Sequence, residues 1–240
     1  MLPTGQIPTE NIFNNKISNL YISATAGNTG THNIFGVQSA GSLTGGAYSK
    51  NIYGNKIDTL YVRQQTGINS TVTAISNSGT TTPSISNGNL INIYKNKISH
   101  LVPFGTGATS MARGIWIQST QASATVNLTN NMVNLDLSSA FDGAVAGVMT
   151  APDAIKGIDI AQAATSNVNI YYNTIRIAGS GGTGFGSSAL TISNNTPAIK
   201  LQNNIFVNKS TPGAGGVAAA MRRAGATTST TSNYLPASSN

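Results

Sequence analysis

Six acidic residues limit the chemistry that this sequence can perform: Glu10, Asp58, Asp136, Asp142, Asp153 and Asp159. Cleavage of a glycosidic bond needs two carboxyl groups about 5–10 Å apart, and a calcium site needs several converging carboxylate oxygens. No two of the six acids lie within three residues of each other. Their spacing favours turn and strand positions, so the sequence predicts no catalytic residue, no metal site and no cofactor.

Asp159 is the acid with the most promising neighbours. It lies in a GIDI segment, and a related GIWI segment carries Trp116 at the equivalent position. If the isoleucines of both segments point into a core, Trp116 and Asp159 point outward on one sheet face. An exposed indole beside a carboxylate suits a sugar, because aromatic faces stack on sugar rings and carboxylates accept hydroxyl hydrogen bonds. Lys156 and Arg113 complete this candidate carbohydrate site, and the competing hypothesis is a loop packed over Trp116.

Composition indicates what kind of scaffold holds these residues. The 240 residues include 26 Gly and no Cys, and only 8% are charged, whereas 39% are hydrophobic. The hydrophobic content argues against a disordered chain, and no apolar stretch approaches the roughly 20 residues that a membrane helix needs. Abundant Asn, Gly, Ser and Thr disfavour a helical bundle. The sequence therefore predicts a turn-rich, all-β protein without membrane insertion.

The net charge of +7 does not indicate a nucleic-acid partner. Basic residues are scattered singly, apart from Arg222–Arg223 and the Lys95/Lys97 pair. Single-strand binding surfaces combine basic runs with aromatic residues, and no such run occurs. The charge reflects the shortage of acids, and we expect no nucleic acid to bind.

A repeated motif is the main signal of the sequence. Copies such as NIFNNKI, NIYGNKI and NIYKNKI each contain an Asn followed two residues later by an aliphatic residue. Successive anchors lie 40, 41, 35, 42 and 31 residues apart: Asn15, Asn55, Asn96, Asn131, Asn173 and Asn204. Self-similarity at such a period is typical of repeat architectures.

A second alternating motif lies between the copies, at 33–37, 71–75, 114–117, 157–160 and 216–221. Each unit thus holds two or three short strands with polar loops between them, and none holds the long amphipathic helix that helical repeats need. Propeller blades would need four strands per unit. We therefore predict about six coils of a parallel β-helix, with loops of variable length at the corners.

The recurring Asn has a physical reason in such a fold. At a corner between sheets, Asn tolerates a left-handed backbone conformation. Stacked coil upon coil, each side-chain amide can donate to and accept from its neighbours and so form a ladder. We therefore predict a structural ladder of the six anchor asparagines.

The N-I-Y-x-N-x-I units, with GIxI segments between them, resemble right-handed parallel β-helix repeats of the pectate-lyase-like superfamily. The Asn-rich units and the final segment are similar to large cell-surface proteins exported by type IX secretion. This resemblance implies a right-handed solenoid and an extracellular or cell-surface location, directed by export signals that this chain lacks. Since β-helices include both enzymes and inert stalks, the resemblance specifies no activity.

These observations predict the organisation and function of the chain together. We expect a lead-in or partial coil at 1–10, a parallel β-helix at 11–221, and a loop or truncated coil at 222–240. The expected function is that of a non-catalytic stalk, adhesin or scaffold segment of a larger surface protein, with glycans or neighbouring chains as partners. The alternatives are a carbohydrate-binding or carbohydrate-cleaving β-helix enzyme fragment, and a fibre subunit that self-associates end to end through uncapped coils.

Overall fold

The computed structural model describes residues 9–22, 31–40, 48–65, 69–78, 89–105, 109–119, 122–137, 149–162, 165–194 and 196–223. These residues form three six-stranded parallel sheets. The first sheet contains β1 (Thr9–Phe13), β4 (Ser49–Tyr53), β7 (Leu90–Tyr94), β10 (Thr125–Thr129), β13 (Asn167–Tyr171) and β16 (Ala198–Gln202). The second contains β2 (Lys16–Ile22), β5 (Lys56–Gln65), β8 (Lys97–Gly105), β11 (Met132–Asp136), β14 (Thr174–Ala178) and β17 (Ile205–Asn208). The third contains β3 (His32–Ala40), β6 (Ser70–Ser78), β9 (Met111–Ser119), β12 (Ile155–Ile160), β15 (Ser187–Ile192) and β18 (Ala218–Arg223).

Three successive strands make one coil, and each coil adds one strand to every sheet. The fold is a right-handed parallel β-helix of six coils, which confirms the predicted architecture. Adjacent parallel strands lie about 4.8 Å apart, so equivalent residues of successive coils stack in columns along the axis. The described strands begin at Thr9 and end at Arg223.

The inward columns form one continuous core. In the first sheet, Ile52, Ile93, Leu128 and Ile170 are fully buried one above the other. Their strands alternate buried and partly buried residues, as expected when one face packs inward and the other does not. The alternating pattern of the sequence therefore sets the register that stacks one coil on the next.

In the third sheet, the backbone of β9 at Gly114 passes very close to its neighbours in the core. A Cβ atom added at Gly114 would lie 2.4 Å from the carbonyl oxygen of Gly157 and 2.7 Å from Cγ1 of Val133. Real Cβ atoms do not approach other atoms so closely, so only glycine fits where β9 passes this close to β12 and to Val133 of the second sheet.

The corner between the first and second sheets corrects one sequence expectation. Its left-handed residues have φ between 53° and 65° and precede the anchor asparagines: Asn14, Gly54, Lys95, Asn130, Tyr172 and Asn203. The anchors themselves do not have positive φ, so the prediction that they adopt the left-handed conformation is wrong. Asn and Gly occupy most of the left-handed positions because they reach this conformation at the least steric cost.

Candidate functional site

The six anchor asparagines form the predicted ladder through the interior of the solenoid. Every rung is a hydrogen bond in which the Nδ2 of one anchor donates to the Oδ1 of the next, at 2.9–3.0 Å. The four central anchors are at most 1% exposed, whereas Asn15 is exposed at the first coil. The ladder therefore joins all six coils through side chains that water does not reach in the middle of the molecule.

Asn96 shows how completely each amide is used. Its Nδ2 donates to the Oδ1 of Asn131 at 3.0 Å and to the carbonyl oxygen of Ile52 at 2.9 Å. Its Oδ1 accepts from both the backbone N–H and the Nδ2 of Asn55, each at 3.0 Å. A buried polar side chain is stable when its donors and acceptors are all paired, and this arrangement meets that condition at the corner of every central coil.

A second asparagine ladder runs along the outer face of the first sheet, and the sequence analysis did not identify it. Its amides are linked at 2.8–2.9 Å in the column Asn11, Asn51, Asn92, Asn127 and Asn169. The signal was present in the first Asn of the first five repeat copies, whereas the sixth coil has Lys200 in this column. Alternation places that residue on the outer face, two positions before the last residue of its strand.

Aromatic rings stack beside the outer ladder. The rings of Phe13 and Tyr53 are 5.1 Å apart, and those of Tyr53 and Tyr94 are 4.8 Å apart, with interplanar angles of 5° or less. Because these rings cover each other's faces, Tyr53 in the middle of the stack offers its edge and its hydroxyl group to a ligand rather than a flat surface.

The candidate carbohydrate site lies on the outer face of the third sheet. Arg113 pairs in register with Lys156, and Trp116 pairs with Asp159, between strands β9 and β12. The register that the sequence analysis inferred from the two isoleucine pairs is therefore confirmed. Whether these residues bind carbohydrate stays a prediction.

Asp159 is enclosed by cations and is not available at the surface. It is 1% exposed, and its Oδ2 accepts from Nε of Arg113 and Nζ of Lys156, each at 3.1 Å. Its Oδ1 accepts a longer hydrogen bond of 3.4 Å from Ser193. Burial lowers the pKa of Arg113, and the charge of Asp159 offsets part of that effect. This carboxylate is a partner for buried cations, and it offers almost no surface to a ligand unless a neighbouring side chain moves.

One face of the Trp116 indole ring is covered by the side chain of Arg113. The guanidinium carbon of Arg113 lies 3.9 Å from the centre of the indole ring, within the range of a cation–π contact. The side chain is partly exposed. A sugar stacked on the ring would have to use the opposite face or displace Arg113.

The ion pairs continue toward the last coil. Asp153 lies 3.7 Å from Nζ of Lys156 and 2.5 Å from a terminal nitrogen of Arg222. Three cations thus hold two carboxylates in one network. In such a network the opposite charges stabilise one another, and removing one member leaves its buried partners uncompensated.

Hydroxyl groups surround this network, and the sequence analysis did not single them out. The outward columns place Thr73 and Ser76 below Arg113 and Trp116, and Ser188 and Thr191 above Lys156 and Asp159. All four are fully buried, and their oxygens have no hydrogen-bond partner among the described residues; the same is true of Nε1 of Trp116. The face is thus rich in polar groups that a polar ligand or water would satisfy.

A separate charged group lies inside the core near the first coil. Lys50 occupies an inward column below Ile91 and is 4% exposed. Its Nζ lies 3.9 Å from Oε2 of Glu10 and 5.5 Å from the ring centre of Tyr48. Burial lowers the pKa of Lys50 more than Glu10 raises it, and burial also raises the pKa of Tyr48.

Other acids are paired with cations as well. Asp58 accepts from His100 at 2.7 Å and from Ser99 at 2.8 Å, and these bonds outweigh burial and lower the pKa of its carboxyl. Asp136 lies 2.9 Å from Arg176. Asp142 lies outside the described residues. No group of three or more His, Cys, Asp or Glu residues that could hold a metal occurs in the part of the chain that the structure describes.

The comparisons with known proteins assign no family. No protein-family model matches the chain, and neither a curated protein nor a solved structure matches it. The parallel β-helix fold therefore follows from the geometry of the chain itself. Among the described residues, no helix is both long and apolar enough to cross a membrane.

Proposed function

We propose that this chain is a structural solenoid that acts as a stalk, adhesive or scaffold segment of an extracellular surface protein. The observation that carries the proposal is the interior asparagine ladder, whose rungs link all six coils. Each rung adds side-chain hydrogen bonds to the backbone bonds between the same coils. Such cross-linking along one axis suits a rod that must keep its shape under load.

The state of the carboxylates supports a role without catalysis. Each acid among the described residues lies within 4.0 Å of a cationic or histidine partner: Glu10, Asp58, Asp136, Asp153 and Asp159. Glycoside cleavage needs one carboxyl that carries a proton and a second that does not, at a set separation. Carboxylates that are held by such partners suit a role in maintaining the fold.

The location proposed for the chain rests on its composition and on its resemblance to exported surface proteins. A chain without cysteine needs no redox environment to fold, and repetition along the axis replaces disulfide bonds as the source of stability. The pectate-lyase-like and type IX resemblances belong to this proposal.

Two assays distinguish an adhesive function from a catalytic one. Beads that carry the purified chain are allowed to settle on polysaccharide-coated glass and are then exposed to increasing flow, while the solution is analysed for released sugars with calcium present. The proposal predicts retained beads and no released sugar. Sugar release that depends on Asp159 would instead establish the carbohydrate-cleaving alternative.

End-to-end association is a second candidate, and the exposure of Met221 favours it. Met221 continues the core column that contains Ile158 and Leu190, yet it is 44% exposed, whereas those two are fully buried. Phe13 and Tyr21 are about half exposed at the opposite end of the rod. Stacking a second copy of the chain on a terminal coil would bury such residues.

Light scattering and electron microscopy of concentrated protein test this second candidate. Met221→Glu should shorten any fibres, whereas Met132→Glu should not, because Met132 is exposed on the side of the rod. A wild-type chain that stays monomeric at high concentration would remove this candidate and leave the stalk proposal intact.

A further inference from the structure

Three lysines form an exposed column on the outer face of the second sheet, which we name the lysine ladder. Lys16, Lys56 and Lys97 are paired in register at the start of β2, β5 and β8, and all three are exposed. Like charges directly opposite each other on neighbouring strands destabilise a sheet. Three successive coils nevertheless place a lysine at this position.

Acidic residues do not neutralise the lysine ladder. Among the described residues, no carboxylate lies within ion-pair distance of Lys16, Lys56 or Lys97. Asp58 lies two residues after Lys56, but its Oδ1 is bonded to His100 and Ser99. The ladder is therefore a row of cations that no carboxylate pairs with directly, although the charges of Lys56 and Asp58 interact at longer range.

Lys95 adds a fourth cation at the adjoining corner, at a conformational cost. It is exposed and has φ of 56°, in the column where Asn14, Gly54, Asn130, Tyr172 and Asn203 also occur. A left-handed backbone disfavours lysine relative to glycine or asparagine. The corner of every coil imposes this conformation, so at Lys95 the chain accepts a lysine where glycine or asparagine costs less, and the row of cations gains a further charge.

We propose that the lysine ladder, with Lys95, binds a linear sulfated polysaccharide that runs along the axis of the solenoid. Sulfate groups repeated along an extended chain would meet one ammonium group at each coil and remove the repulsion within the column. This proposal names a ligand class for the adhesive role proposed above, and it rests on that proposed function.

Two features favour a sulfated polysaccharide over other polyanions. Lysine is a compact point charge with three donors, which suits a tetrahedral sulfate, whereas the planar carboxylate is matched best by the fork of an arginine. Single-stranded nucleic acid binds through free aromatic faces. The nearby Tyr21 and Tyr61 stack on each other at 5.3 Å, so their facing surfaces are not available to bases.

Binding of dextran sulfate to the purified chain tests the proposal, with single-stranded DNA and polygalacturonate as competing probes. We expect each of Lys16→Gln, Lys56→Gln and Lys97→Gln to weaken dextran sulfate binding about fivefold, with the triple variant close to background. Lys209→Gln is the matched control, since Lys209 is exposed, lies beyond β17 and carries the same charge. We expect it to change the affinity less than about twofold at the same salt concentration.

Measuring thermal stability together with binding distinguishes this proposal from a nonspecific effect of charge. Lys95→Asn should weaken binding yet raise the thermal unfolding midpoint, because it removes strain at the corner. The proposal is overturned if wild type does not bind dextran sulfate, if the triple variant binds like wild type, or if DNA or polygalacturonate binds more tightly. Binding of dextran sulfate in solution does not depend on mechanical force. If the beads fail to adhere under flow but dextran sulfate still binds, the result contradicts the proposed adhesive function and leaves the lysine-ladder proposal intact.

Discussion

The Nδ2 of Asn96 donates to the Oδ1 of Asn131 at 3.0 Å, toward the last coil. In the outer ladder the direction is reversed, since the Nδ2 of Asn92 donates to Asn51, toward the first coil, at 2.8 Å. All rungs of each ladder share one direction, so the two rows of amide dipoles oppose each other. Opposed rows avoid the net axial dipole that a single aligned row would build up.

The two ladders are expected to differ in their contribution to stability. Asn96→Ala removes the partners of buried donors and acceptors on Asn55 and Asn131, so it should lower the free energy of unfolding by about 2–4 kcal/mol. Asn92→Ala is the matched control, because Asn92 forms the same type of rung on the partly exposed outer face. Its loss should stay below about 1 kcal/mol. Urea denaturation measures both, and equal losses would mean that burial does not distinguish the ladders.

The ion network around Asp159 is expected to be a stabilising element. Asp159→Asn leaves Arg113 buried without its carboxylate and Lys156 with only the more distant Asp153, which should cost about 3–5 kcal/mol of folding free energy. Asp136→Asn removes a more exposed carboxylate–arginine pair and should cost less than about 1 kcal/mol. Thermal unfolding compares the two variants. An Asp159→Asn protein as stable as Asp136→Asn, but unable to bind glycans, would show that the site exists for a ligand.

Stability is expected to rise with pH over the range that ends at about 10.4, the ordinary pKa of lysine, because of Lys50. Its pKa is lowered in the folded state, so the unfolded chain binds more protons in this range, and deprotonation favours folding. Above this range the raised pKa of Tyr48 acts in the opposite sense, since the unfolded chain then loses the tyrosine proton first. Urea midpoints across the range measure the slope, and Lys50→Met should reduce it. A slope that survives Lys50→Met would assign it to other groups.

Gly114 is expected to tolerate no side chain. A methyl group there would lie 2.4 Å from a backbone oxygen of Gly157, so Gly114→Ala should lower the free energy of unfolding by about 1–3 kcal/mol. Gly215→Ala offers the comparison, because its nearest atom would be 3.6 Å away and the change should stay within about 0.5 kcal/mol. Chemical denaturation of both proteins checks the difference. Equal stabilities would show that β9 can shift to make room.

Repetition made the fold predictable from sequence. The anchor asparagines and the isoleucines that follow them recur because each coil imposes the same environment, and this fixed the ladder and the register of Trp116 with Asp159. Strand β15 was missed because SSALTI lacks the GIxI pattern of its neighbours. Alternation assigned Asp159 correctly to the outer face but left open whether that face is exposed or covered by a loop. Whether an outer face is buried depends on the segments that pack over it. The alternation of apolar and polar residues along a strand contains no information about those segments.

Stretching single molecules along the solenoid axis tests the structural role most directly. We expect the double variant Asn96→Ala/Asn131→Ala to unfold at a clearly lower force than wild type, because it removes buried rungs from the middle of the rod. Asn92→Ala/Asn127→Ala removes the corresponding outer rung and should unfold close to the wild-type force. If the interior double variant resists force as well as wild type does, the ladder does not bear load and the proposed function is contradicted.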